Sequence, residues 1–199
     1  MYTVKNILNH SSDLELLKSE IGACRACEAH LPLGPRPIVQ LSSNARILIA
    51  SQAPGSKAHV SGVPFSDASG DTLREWLGVT RAEFYTADNF AVVPLGLCYP
   101  GKATGGDSPP RPECAPLWHK RILQTLGSVE LTILVGGHAV SHKLGAGLMT
   151  DRVRDFESYL PNYFPLPHPS WRSRFWMTRN PWFEAAVLPR LKQEIRKRL

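Results

Sequence analysis

The residues with most capacity for chemistry fall in a few short stretches separated by apolar runs. Cys24 and Cys27 form a Cys-x-x-Cys pair, and Cys98 and Cys114 flank a long loop; the chain has no other cysteine. In a reducing compartment such a set reads as a metal site before it reads as a disulfide framework. Cysteine also serves as a small buried hydrophobe. Four thiolates suit a zinc tetrahedron and a [4Fe–4S] cluster alike, so spacing leaves both open. A second set comprises Gln52-Ala53-Pro54-Gly55, Phe65, Asp67, Asp107 and His168-Pro169-Ser170. A carboxylate can position or activate water, a histidine can donate to a departing group, and an aromatic ring on a loop offers a stacking face. Backbone amides after Pro54, in a turn that Gly55 permits, suit a phosphate or a water.

Four apolar runs can carry these residues as strands: 46–50, 90–95, 130–135 and 163–166. They are short, continuous and separated by helical patterns, as strands buried on both faces of a parallel sheet are. Helices are expected at 12–22, 69–77, 114–126, 138–144 and 182–198. Ser69 with Thr72 makes a plausible cap for the second, and Gly78 a stop. The alternation predicts an α/β fold, three-layer α/β/α, around a small, mainly parallel four-stranded sheet. In such sheets ligands bind outside the carboxyl ends of the strands. The unusual residues follow those ends: Gln52 to Gly55, Cys98 to Pro112, Gly136-Gly137-His138 and His168 to Ser170.

With 199 residues and 43% apolar content, one domain with a full core is expected. Within it, 1–45 hold the N-terminal helix and the Cys-x-x-Cys segment. The opening residues lack the pattern of a secretory signal and no run of 18 apolar residues occurs, so a cytoplasmic chain without membrane contact is expected. The net charge of +6 resides in residues 168–199, which hold eight Arg or Lys against Glu184 and Glu194. A basic end beside a balanced domain suits a polyanion, and a solvated charged helix produces the same count.

Taken together, these motifs resemble the uracil-DNA glycosylase superfamily, closest to its iron–sulfur family 4 branch and related uncharacterised bacterial members. The resemblance runs from Cys24 to the final helix. It rests on Cys24-Arg25-Ala26-Cys27, Ser51-Gln52-Ala53-Pro54-Gly55, Gly62-Val63-Pro64-Phe65-Ser66-Asp67-Ala68-Ser69-Gly70, Cys98 with Cys114, and His168-Pro169-Ser170, in that order. It implies a [4Fe–4S] cluster on Cys24, Cys27, Cys98 and Cys114, ahead of zinc. It also implies a monomeric DNA repair enzyme that hydrolyses the N-glycosidic bond of a flipped-out deaminated base, uracil first. His168 would stabilise the leaving base, Asp67 and Gln52 would serve catalysis, and Asp107 is the next candidate carboxylate after Asp67. Ala53, Pro54, Gly55 and Phe65 would hold the base. Residues 168–199 would supply a DNA-contact loop, with Ser170, Trp171, Arg172 and Arg174 on DNA, followed by the C-terminal helix.

Several positions depart from the family 4 pattern. Ser51 replaces a glycine, Gln52 a glutamate, and Ser66-Asp67 a Val-Gly pair. Pro94 stands where family 4 has the asparagine that reads uracil. Either main chain and Gln52 read the base, or the substrate is another base. A protein that binds DNA or a damaged base without cleaving it is the alternative, and a zinc-stabilised hydrolase of free nucleotides a further one.

Overall fold

The computed structural model describes residues 3–199, with side chains from residue 12 onward. In chain order, α1 (Thr3–Gly22) precedes β1 (Ile47–Ser51), α2 (Ser56–Ser61), α3 (Ala68–Leu77), α4 (Arg81–Tyr85) and β2 (Phe90–Pro94). A small hairpin, β3 (Lys102–Ala103) and β4 (Gly106–Asp107), leads to α5 (Cys114–Thr125), β5 (Leu131–Val135), α6 (Gly137–Leu144) and α7 (Met149–Arg154). The chain ends with β6 (Tyr163–Leu166), α8 (Ser173–Arg179) and α9 (Leu188–Arg196).

The main sheet is wholly parallel, in the order β2-β1-β5-β6. Because strand side chains alternate between faces, its continuous apolar runs feed two cores. Ile47, Ile49, Phe90, Val92, Leu131 and Ile133 face Leu73 and Trp76 of α3, Val153 of α7 and Leu191 and Ile195 of α9. Leu48, Ala91 and Val93 face Leu14, Leu17 and Ile21 of α1 and Trp118 and Ile122 of α5. Leu134 meets Ala139 and Val140 of α6. The result is the expected three-layer α/β/α architecture. Pro94 is tolerated because β2 is an edge strand, where a missing N–H costs no ladder bond.

The strands lie within a residue or so of their expected limits, and the differences elsewhere have local causes. Asp67, not Ser69, caps α3: its side chain accepts from the Gly70 N–H at 3.0 Å. Gly78 ends that helix in a left-handed conformation, φ 68°. The expected helix over 182–198 opens as a π-helical turn at Phe183–Val187 before α9. Pro189 has no N–H to give the Ala185 carbonyl, so the first turn cannot close as a regular α-helix. α2, α4, α7 and α8 span five to seven residues each, too short for periodicity to reveal.

Candidate functional site

The carboxyl ends of all four parallel strands open on one side of the sheet, where a cavity of about 630 Å³ lies. It is lined by Gln52, Ala53, Pro54 and Gly55 after β1, Pro94 of β2, Phe65 and Asp67 before α3, Asp107 of β4, and His168, Ser170, Trp171 and Arg172 after β6. The chain leaves β1 toward β2 on one side and reaches β5 and β6 on the other. Such a reversal of strand order is where open α/β sheets form their binding crevice.

His168 stands over the end of β5. Gly136, at φ 84°, makes this possible: a Cβ there would press on the His168 side chain at 3.4 Å. The His168 carbonyl accepts from the Ser170 N–H at 2.9 Å and from the Ser173 hydroxyl, which fixes the backbone turn. Solvent reaches the ring from the cavity, and protein crowds its other sides. This crowding lowers its pKa from the ordinary histidine value, against the opposing pull of Asp67 and Asp107, and so favours the neutral ring. A neutral imidazole keeps one N–H to donate.

Phe65 is held in an uncommon backbone conformation. Its φ is 52°, in the left-handed region that bulky residues avoid. Its carbonyl accepts from Tyr85 Oη at 3.0 Å and Arg74 Nη1 at 3.2 Å, while Tyr85 Oη also donates to Pro64 at 2.9 Å. Arg74, only 5% exposed, pairs with Asp71 in the first turn of α3 and lies 5.5 Å from the Phe84 and Tyr85 rings. Gly70 must lack a side chain because a Cβ would collide with the Phe65 carbonyl. The Phe65 ring meets Phe84 edge-on, with centroids 6.2 Å apart, so it rests on the core while lining the cavity. Arg74 and Tyr85 escaped the sequence reading. The one signal was an arginine inside the apolar stretch "LREWL".

The acidic and amide groups divide their work. Asp67 uses Oδ1 as the α3 cap and lines the cavity. Gln52 Nε2 donates to the Ser108 carbonyl at 2.9 Å, so its amide nitrogen holds the loop after β2 rather than a ligand. Gly55 has φ −80° and needs no glycine-specific conformation. It begins a helix of only six residues. Pro94 offers the cavity no side-chain hydrogen bond, and its carbonyl accepts from His119 Nε2 at 3.0 Å.

At the rim, Trp171 and Phe175 are 67% and 68% exposed and meet edge-on at 6.4 Å. Arg172 lies 5.5 Å over the Trp171 ring and donates Nη1 to the Gly105 carbonyl, across the cavity mouth. Arg174 is exposed on α8, outside the cavity lining. The basic segment therefore splits in two. Arg190, Lys197 and Arg198 pair with Glu194, and Arg196 pairs with Glu83. These cations are paired on and around α9, whereas Arg172 stands at the rim over an exposed aromatic ring.

The four cysteines line a second, much smaller cleft of about 20 Å³ together with Leu31, Pro35, Leu97, Arg111 and Trp118. All four are free thiols. Burial pushes the pKa of Cys98 and of Cys114 up to about 11. The Leu97 N–H points at Cys114 Sγ, 3.2 Å away, and Cys27 Sγ lies 3.9 Å from Glu113. Among the described residues no group of three or more His, Cys, Asp or Glu is gathered closely enough to hold a metal ion. None of the described helices is long and apolar enough to cross a membrane.

The family model described as the uracil DNA glycosylase superfamily matches residues 38–192, a span that contains the sheet, the cavity and its rim. The chain belongs to the uracil DNA glycosylase superfamily.

Proposed function

We propose that the chain is a DNA glycosylase that hydrolyses the N-glycosidic bond of a flipped-out deaminated base, with uracil as first choice. The observation that carries this reading is the gathering of His168, Phe65 and Asp67 around one cavity at the strand ends. Extruding a nucleotide costs a few kcal/mol of unstacking, which a close pocket must offset. Phe65, braced against Phe84 and clamped through its carbonyl, offers a rigid stacking face. As the bond breaks, the sugar becomes cationic and the base anionic. His168, neutral and preorganised, donates to the base where that charge develops. Asp67 balances the sugar cation or orients water. Trp171, Arg172 and Arg174 meet the DNA, the ring replacing lost base contacts and the guanidinium groups meeting phosphates.

Cys24, Cys27, Cys98 and Cys114 would hold a metal centre, a [4Fe–4S] cluster before zinc. The reading rests on the donor set, four thiols lining one cleft with a backbone amide aimed at a sulfur, and it requires the thiols to draw closer than they stand here. Such a centre would tether the N-terminal segment to both ends of the loop after β2.

Single-turnover assays on strands containing uracil, hypoxanthine or xanthine test the reading. Release of one of these bases is expected, and binding without release from any of them overturns it. The second reading, a protein that binds a damaged base without cleaving it, is favoured by Pro94 and by the commitment of the Gln52 amide nitrogen to Ser108.

A further inference from the structure

We propose that Asp107, carried on the β3–β4 hairpin, is the carboxylate that takes the proton of the attacking water, an assignment that rests on the glycosylase reading. Its Oδ2 and that of Asp67 converge on one point of the cavity wall. A Cβ built on Gly55 would lie 3.6 Å from Asp107 Oδ2 and 3.8 Å from Asp67 Oδ2. His168 lines the same cavity and feels both charges.

The two carboxylates are not equivalent. Asp67 accepts the Gly70 N–H, which ties it to the start of α3. Asp107 is free of that duty. The cavity wall withholds enough water to raise its pKa, and the Asp67 charge adds to this, while Lys102 and His168 oppose it. A proton acceptor works best when its pKa lies near the operating pH, and the raised pKa of Asp107 moves it in that direction.

The hairpin is held firmly enough to present this group. The Ser108 N–H donates to the Gly101 carbonyl at 2.8 Å, Gln52 Nε2 to the Ser108 carbonyl at 2.9 Å, and Arg172 Nη1 to the Gly105 carbonyl. Asp107 stands opposite Lys102 in the backbone register of the hairpin. Gln52 and Arg172 are thereby positioning residues, anchoring the hairpin from β1 and from the segment after β6.

In the step assigned to Asp107, a water O–H proton passes to its carboxylate as the water oxygen bonds to the sugar C1′. The C1′–N bond breaks and its electron pair departs on the base, whose anion accepts from the His168 N–H. Protonated Asp107 then returns the proton to the released base or to solvent.

Single-turnover base release by the full chain, followed against pH on whichever panel base it cleaves, tests the assignment. The groups facing Asp107 are Lys102, Asp67, His168, Tyr99 and, beside Gly106, Arg172. Because the base works ionised, the rate should be full above its pKa and fall as pH drops through it, on a limb above the ordinary aspartate value. Asp107→Asn should slow release by about 10²–10⁴-fold and abolish that limb, with Tm and DNA affinity near the parent's. Asp107→Glu should restore part of the rate. Lys102→Met, which removes a charge that holds the pKa down, should move the limb to higher pH, a readout that remains if the Asn variant misfolds. An Asp107→Asn protein with the parent's rate and limb overturns the assignment and leaves the glycosylase reading standing; so does a limb that stays in place in Lys102→Met. A parent that cleaves no base in the panel removes the glycosylase reading and this assignment with it.

Discussion

The cavity at the strand ends and the cysteine cleft share one loop, residues 98–114, yet they are built differently. The cavity holds about 630 Å³, is open to solvent, and gathers residues from the ends of β1, β2 and β6 and from the loop that carries β4. The cleft holds about 20 Å³, is walled by prolines, Leu97 and Trp118, and brings thiols from the segment after α1 to the two ends of the loop. Groups that must meet a ligand need accessible, oriented donors and acceptors, whereas groups that must anchor a chain need burial and few alternatives. The shared loop joins the two functions: sulfur sits at its ends, and the Asp107 hairpin stands in its middle, pinned by Gln52 and Arg172.

If the cavity alone does chemistry, His168→Ala should slow base release by about 10²–10³, an effect of the order expected for Asp107→Asn, while DNA affinity and Tm stay near the parent's. An equal rate in single turnover would break the contrast at its centre. Cys98→Ser should act through position instead. Iron and sulfide content should fall, and base release should slow by up to about 10², the scale expected when catalytic groups shift by an ångström. A fully active protein without iron or zinc would leave the cleft an ordinary piece of core. Smaller again, Phe65→Ala should weaken retention of the flipped base by about 1–3 kcal/mol without changing metal content, as read from binding to DNA carrying an uncleavable analogue. The finest test lies in the basic segment. Arg172→Ala with Arg174→Ala should flatten the dependence of log affinity on log salt by about one unit per lost phosphate contact, while Arg196→Ala, whose guanidinium is already paired with Glu83, should leave the slope unchanged.

Much of this architecture was legible in the chain. Runs such as 47–50 and 133–135 are continuously apolar, so both faces of the strand are covered, as in a parallel sheet between two helix layers. Strand ends then located Gln52, His168 and the glycines beside them. The sequence also suggested a stacking role for Phe65, but not its support on Phe84 or the clamp from Arg74 and Tyr85. Those contacts span 9 to 20 residues and depend on how α3 and α4 pack.

The sequence by itself determined the layers, the strand ends as the place of the site, and the set of residue types available there. Apolar periodicity and turn chemistry are local, and each is readable over a few residues. Tertiary structure decided the assignments within that set. It tied Gln52 to the loop, paired Arg196 of α9 with Glu83, and brought Asp107 beside Gly55 from more than fifty positions away in the chain. A side chain's chemistry depends on which partners consume its hydrogen bonds and how much water reaches it, and both are properties of the packed molecule.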